Sequence, residues 1–306
     1  MTVAALDCGT NSTRLLVVDD EGRALVRDMR ITRLGQGVDA TGVLADEALA
    51  RTWSVLEEYH EVMVTAGVRA ARLVATSAVR DATNGQLFLD RAAEITGAEV
   101  ALLTGVQEAE MSLRGATSDL APVSEPTMIV DIGGGSTELA ARVDGDIVRY
   151  SMQLGCVRVT ERVLGARVVT PATSEAARAM ITSELDAAFG ADPRFSRLVG
   201  SVRIVGLAGT VATLAQLVAG LSTYDRDSVH HRRLTRRDVV EWRDRLGALE
   251  PAERLPFPGM VPGREDVLPA GLFILDAILE RFEVEELLSS ENDILDGLAA
   301  SIVAPS

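Results

Sequence analysis

The chain contains no lysine, so all 30 of its basic residues are arginine. That absence excludes a GxxxxGK[ST] nucleotide loop, Schiff-base chemistry and a lysine general base. It leaves anion binding open, because arginine makes planar, bidentate contacts with phosphate and carboxylate. Biased codon usage would account for the composition without any functional demand. Cysteine is scarce as well: Cys8 and Cys156 are too few and too dispersed for a disulfide framework or a zinc site. Aromatic residues make up 4% of a chain that is 47% hydrophobic, so the core must be built from Ala, Val, Leu and Ile. That suits helices covering a sheet. Long apolar runs are missing. The most apolar late stretch, VLPAGLFILDAIL, is broken by Asp276 and is too short to span a bilayer. The N-terminus lacks a basic segment followed by an apolar one, and Asp7 interrupts it early. A cytoplasmic protein without a membrane partner is expected. The net charge of −15 argues against nucleic acid, whose binding comes largely from neutralising phosphates. A phosphorylated small ligand in a locally basic cleft is compatible with that charge.

What is present is a repeat. DCGTNSTR (residues 7–14) and DIGGGSTE (residues 131–138) superpose position by position, aligning Asp7 with Asp131, Gly9 with Gly133, Ser12 with Ser136 and Thr13 with Thr137. Each octapeptide sits at a polar turn between two apolar strand patterns. The first half reads as three strands (VAALD, TRLLVVD and 24–31), an amphipathic helix over 46–66, a strand ARLVATSAV, a helix over 85–96, a strand AEVALL and a helix over 105–116. TSDLAPVSEP (117–126), with two prolines and no periodicity, marks the boundary. We therefore expect an α/β protein with domains at 1–121 and 122–306, the final helix (292–306) returning to the first. The second half restarts with three strands, TMIVD, STELAARV and DIVRYSMQL. Helices near 158–165 and 173–189 follow, then a strand, glycine turn and helix in VRIVGLAGTVATLAQL. A polar loop is expected between Leu221 and Arg233, and the remainder reads as mostly helical. Two halves opening alike suggest a duplication.

A turn rich in Gly, Ser, Thr and Asn presents backbone N–H groups and hydroxyls without bulky side chains, as a phosphate-binding loop requires. A preceding strand-end aspartate can hold Mg²⁺, usually through waters. Either turn alone reads equally well as an ordinary glycine turn. Two copies at matching places point to two loops clamping one phosphate chain. GLAGT (206–210) adds a strand–turn–helix whose amides would favour an anion, a common feature by itself. In the helix over 105–116, Thr104 and Gln107 form a capping-box pattern. Glu110 stands four residues before Arg114, a favourable solvated pair, whereas Glu108 faces Met111 and Ser112 and is left without such a partner. HHRRLTRR (230–237) is the densest basic run. It could guide a polyanion, although such runs are commonly solvated helix starts.

The pieces ALDCGTNSTRLLV, ATSAVRDATNG, LTGVQEAEMSLRGA, VDIGGGSTEL, LGCVRVTE, GLAGT and DVLPAGLFIL occur over residues 5–275, with a weaker ENDILDGL match. Together they resemble the exopolyphosphatase and guanosine pentaphosphate phosphohydrolase (Ppx/GppA) family, of the actin, sugar kinase and Hsp70 superfamily. The resemblance implies two ribonuclease H-like (actin-type ATPase) domains with a cleft between them. It implies a Mg²⁺-dependent hydrolase of phosphoric anhydrides acting on inorganic polyphosphate or on guanosine pentaphosphate (pppGpp). Glu108 maps to the general base that orients water for in-line attack, and Arg80 to a phosphate-binding arginine of the catalytic machinery. Gly9, Thr10, Asn11, Ser12, Arg14, Gly133, Gly134, Gly135, Ser136, Gly209 and Thr210 would hold phosphates. Asp7, Asp131 and Glu138 would organise the metal. Arg80 also reads as an ion-pair residue, and Arg14 and Glu138 as structural. A homodimer rests on the resemblance alone. Many relatives carry an HD-type helical domain. This chain has only His60, His230 and His231 and no His-Asp dipeptide, so no HD site is expected, which tilts the reading toward polyphosphate. More distant alternatives are a sugar-kinase-type enzyme using the loops for ATP and a non-catalytic polyphosphate or nucleotide sensor.

Overall fold

The computed structural model describes residues 1–303, so the last three positions of the helix expected over 292–306 lie outside the described residues. The chain forms two compact units, Met1–Ser118 joined by the chain from Asp293, and Asp119–Asn292.

Unit 1 opens with an antiparallel meander, β1 (Val3–Cys8), β2 (Ser12–Val18) and β3 (Ala24–Ile31). It continues with α1 (Val38–Thr41), α2 (Asp46–Thr65), β4 (Ala70–Ala75), α3 (Ser77–Asp81), α4 (Gly85–Thr96), β5 (Glu99–Leu102) and α5 (Gly105–Ala116). The sheet order is β3-β2-β1-β4-β5, with β4 and β5 parallel to β1. Strand alternation divides the core. Ala4, Leu6 and Cys8 pack on one face with Leu49, Leu56, Tyr59 and Phe88 from α2 and α4. Val3 and Ala5 face the C-terminal helix Ile294–Val303 through Ile294, Leu295 and Leu298. Asp7 continues that second alternation, so period 2 aims it at the start of the same helix. That helix also lies tightly against α5. A Cβ on Gly115 would strike the Asp293 carbonyl, and one on Gly297 the Met111 carbonyl.

ARLVATSAV is not one strand. β4 ends at Ala75 and the chain turns directly into α3, because the segment must leave the sheet beside β1 rather than extend past it.

Unit 2 repeats the plan with β6 (Thr127–Ile132), β7 (Thr137–Val143), β8 (Asp146–Met152), α6 (Cys156–Val159), α7 (Pro171–Ala191), β9 (Arg203–Leu207) and α8 (Ala208–Ala219). Then come α9 (Arg226–Val229), β10 (Arg233–Thr235), α10 (Arg236–Gly247), α11 (Pro251–Arg254), α12 (Leu268–Arg281) and β11 (Glu286–Ser289). Its sheet runs β10-β11-β9-β6-β7-β8. Apart from the added edge strand β10, this is the order of unit 1, and both sheets have the ribonuclease H-like arrangement. β10 and β11 fall in the stretch from Arg233 onward that the sequence pattern predicts to be mostly helical. Strands of three and four residues are too short to show alternation. Met128, Val130 and Ile132 face a core completed by Val211 and Leu214 of α8 and by α12, which leaves Asp131 on the opposite face. Among the described residues no helix is long and apolar enough to cross a membrane.

Candidate active site

The two octapeptides fold alike. In each, the amide of the first glycine donates to the carbonyl three residues on: Gly9 N–H to Ser12 O and Gly133 N–H to Ser136 O, both 3.0 Å. In each, the aspartate at the end of the first strand is paired in register with the last residue of the motif, Asp7 with Arg14 and Asp131 with Glu138.

The turns are also held from behind in the same way, by a segment that follows the third strand. In unit 1, Thr10 O accepts from Gly35 N–H at 2.8 Å, and Asn11 O accepts from the amides of Thr32 and Arg33 at 3.1 and 3.0 Å. Thr10 also hydrogen-bonds Ser77 at 2.9 Å through their hydroxyls, and Thr13 bonds Thr32 in the same manner. In unit 2, Gly133 O accepts from Cys156 N–H at 2.9 Å. Gly134 O accepts from Val157 and Arg158 at 2.9 and 3.1 Å, and Gly135 O accepts from Arg158 Nε at 2.7 Å. The Thr137 hydroxyl donates to Leu154 O at 2.5 Å. The approach is possible because Gly35 and Gly155 lack side chains. A Cβ on Gly35 would overlap Thr10, and one on Gly155 would overlap the Gly134 backbone.

These bonds fix the direction of the amides. A peptide plane is rigid and trans, so its carbonyl and the following N–H point opposite ways. With the Gly133, Gly134 and Gly135 carbonyls turned back to α6, the N–H groups of Gly134, Gly135 and Ser136 point forward. Successive N–H groups so arranged form an anion-binding concavity. In unit 1 the N–H groups of Asn11 and Ser12 are directed by the same logic.

The last residues of the two motifs differ in environment. Arg14 donates to Asp7 Oδ2 through Nε at 3.0 Å and Nη2 at 2.6 Å, and its Nη1 engages Asp293. Its charge is thus already shared between two carboxylates. Asp7 is 4% exposed, and burial pushes its carboxyl above the ordinary value despite the pull of Arg14. Its Oδ1 is buried and has no hydrogen-bond partner among the described residues. In unit 2 the equivalent pair is two carboxylates. Asp131 and the fully buried Glu138 stand directly opposite each other, and Glu138 accepts from Ser151 Oγ at 2.7 Å.

Glu108 lies in the first turn of α5, which starts with the Thr104–Gln107 capping box read from sequence. Arg80, in the last turn of α3, donates from Nη1 to Leu103 O at 2.8 Å and comes within 3.7 Å of Glu108 Oε2. The structure therefore joins these two candidates. GLAGT is tighter than expected: β9 runs straight into α8, with Ala208 at φ 61° in the left-handed region and Gly209 and Thr210 already helical. The guanidinium of Arg264 lies where a Cβ on Gly209 would be, and Gly271 packs on Thr210. Arg264, Arg158 and the two glycine braces were not singled out in the sequence. The echo that could have exposed the braces is Leu34–Gly35 and Leu154–Gly155, each just after a third strand.

Both thiols are buried, and burial raises Cys156 to about 11 and Cys8 well above its ordinary value. Neither is poised as a nucleophile. HHRRLTRR passes through the edge strand β10 into the start of α10: Thr235 and Asp238 cap α10, Arg233 pairs with Glu286, and Arg236 pairs with Asp276 and Glu280. His230, His231 and Asp119 come together. However, Glu291 N–H donates to His230 Nδ1 at 3.0 Å, so His230 Nε2 carries the proton and donates to Asp119 at 2.8 Å. That nitrogen has no lone pair left for a metal.

Two units of ribonuclease H-like topology, each with a glycine turn whose amides face outward, define a phosphate-handling protein. A family model described as the Ppx/GppA phosphatase family matches residues 16–304. The chain belongs to that family and is, by class, a phosphatase. It is 39% identical over 316 residues to Exopolyphosphatase 2 of Mycobacterium tuberculosis, covering 98% of both chains. A crystal structure of an exopolyphosphatase-like protein superposes with a TM-score of 0.90 at 34% identity, covering 99% of each chain. The Aquifex aeolicus member of the Ppx/GppA family superposes at 0.78 with 29% identity, covering 99% of this chain and 98% of that one.

Proposed function

We propose that the protein is an exopolyphosphatase that releases terminal phosphate from inorganic polyphosphate. The observation that carries this reading is the outward-facing row of amides at Gly134, Gly135 and Ser136. It suits phosphate oxygens of any chain and reads no base. The full-length similarity to Exopolyphosphatase 2 supports the choice of substrate.

Glu108 is assigned as the general base that takes a proton from the attacking water, and Arg80 as the arginine that holds Glu108 and offers its remaining N–H groups to the terminal phosphoryl group. In unit 2 the amides of Gly134, Gly135 and Ser136, with the N-terminus of α8 at Gly209 and Thr210, would orient phosphates, and in unit 1 the amides of Asn11 and Ser12 would do the same. Phosphoryl transfer demands mainly such positioning and charge neutralisation. Arg264, against Gly209, adds a cation to the same turn.

The donor set fits Mg²⁺, a hard cation that takes oxygen ligands. Asp131 and Glu138 form an opposed carboxylate pair, and Asp7 has a buried oxygen without a hydrogen bond. In unit 2 Asp131 and Glu138 would offer oxygens to the ion or its waters, and in unit 1 Asp7 would do the same at its own turn. When bound, Mg²⁺ would neutralise phosphate charge.

Phosphate release from purified protein should be measured with polyphosphate, pppGpp and ATP in parallel, each with and without Mg²⁺. Polyphosphate is expected to be the best substrate, with activity lost on Mg²⁺ removal. Preference for pppGpp, or release only when an acceptor is added, would overturn the assignment.

A further inference from the structure

The three peptide planes of the unit 2 turn are not held by the same kind of donor. Gly133 O and Gly134 O are fixed by backbone amides at the start of α6, which any residue there would supply. Gly135 O is fixed by a side chain, Arg158 Nε at 2.7 Å. In unit 1 the corresponding carbonyl, Asn11 O, is held twice over by backbone amides. The Gly135–Ser136 plane therefore depends on Arg158 in a way that its counterpart depends on no side chain. It also follows two glycines, whose backbone reorients at little cost.

We infer that Arg158 is a positioning residue for phosphate binding. By holding the Gly135 carbonyl back, it keeps the Ser136 N–H pointed at a phosphate oxygen. It acts through Gly135 rather than by touching substrate. Burial suits that role: Arg158 is 9% exposed, and its Nη2 is directed to Gln153 Oε1 at 3.4 Å. A buried guanidinium with fixed acceptors keeps Nε in one plane, whereas an ammonium has no such fork. The inference rests on Gly133–Ser136 being a phosphate loop, and it adds the residue that orients the loop's last amide.

The test uses the full chain, with amide resonances of Gly134, Gly135 and Ser136 followed during titration with imidodiphosphate, alongside phosphate release from polyphosphate. All three amides of the wild type should shift. In Arg158→Met, Gly134 and Gly135 should still respond while Ser136 does not, and kcat/KM should fall about 10²-fold, the scale of a misplaced binding group. Loss of all three responses together, or retention of all three, would overturn the inference, since a merely structural arginine gives no Ser136-selective effect. Should Arg158→Met not fold, Arg158→Lys is expected to show the same selective loss, and an unaltered Ser136 response there would count against the idea. Wild-type amides that shift without polyphosphate hydrolysis would overturn the substrate assignment while supporting the role of Arg158. Wild-type amides that do not shift would overturn the phosphate-loop reading and the inference with it.

Discussion

Arg80 Nη1 sits 3.7 Å from Glu108 Oε2 while donating to the Leu103 carbonyl, so one guanidinium links the end of α3 to the first turn of α5. Removing it should leave Glu108 less well placed and the phosphate less well held. Arg80→Met is expected to reduce kcat/KM for polyphosphate by about 10²-fold, with little change in thermal stability, because a partly exposed pair of this length contributes about 0–1 kcal/mol. Steady-state kinetics and thermal unfolding of the variant check both parts.

The glycine braces give a prediction about packing. A Cβ at position 155 would overlap the Gly134 backbone, which has no flexible end to move aside. Gly155→Ala should therefore displace the turn and cost about 1–3 kcal/mol, seen as a lower denaturant midpoint together with lost activity. Gly35→Ala meets the side chains of Thr10 and Ala78, so its cost should be smaller. Equal costs would show that the backs of the two turns are not the rigid contacts described.

Metal binding should be visible without turnover. If Asp131 and Glu138 hold Mg²⁺, adding the ion at about 100 times its Kd should stabilise the folded wild type by about 2.7 kcal/mol. Asp131→Asn should abolish most of that gain. A full Mg²⁺-dependent rise in Tm in the variant would remove these carboxylates from the metal site.

Asp7 supplies a pH dependence with a definite sign. Its folded-state carboxyl is raised above its ordinary 3.8, mainly by burial, so the folded protein binds this proton more tightly than the unfolded chain. Stability from this group is fully present below 3.8 and is lost as pH rises through the folded value. Asp7→Asn carries no such loss. The stability difference should move in favour of the variant as pH is raised from about 3.5, measured by urea unfolding without divalent ions. A difference that stays flat, or moves the other way, would mean that Arg14 outweighs burial at Asp7.

Much of the site was legible because its signals are local. The octapeptide repeat gave both turns, and the Thr104–Gln107 capping box placed the helix of Glu108 at its observed start. What escaped depends on distance in sequence. Arg158 reaches back 23 residues to Gly135, and Arg264 arrives from beyond α11 to cover Gly209. Leu34–Gly35 and Leu154–Gly155 are dipeptides too short to stand out until the turns they support are seen. Tertiary demand overrides pattern at Ser77–Asp81, where the end of a strand-like run becomes a helical turn once the chain leaves the sheet after β4.

The central claim is that Glu108 activates the attacking water. Its most direct test is phosphate release from polyphosphate by Glu108→Gln with saturating Mg²⁺, together with polyphosphate binding by the same protein. A loss of about 10²–10⁴ in kcat with binding retained is expected for a missing general base. Wild-type kcat in that variant would contradict the account.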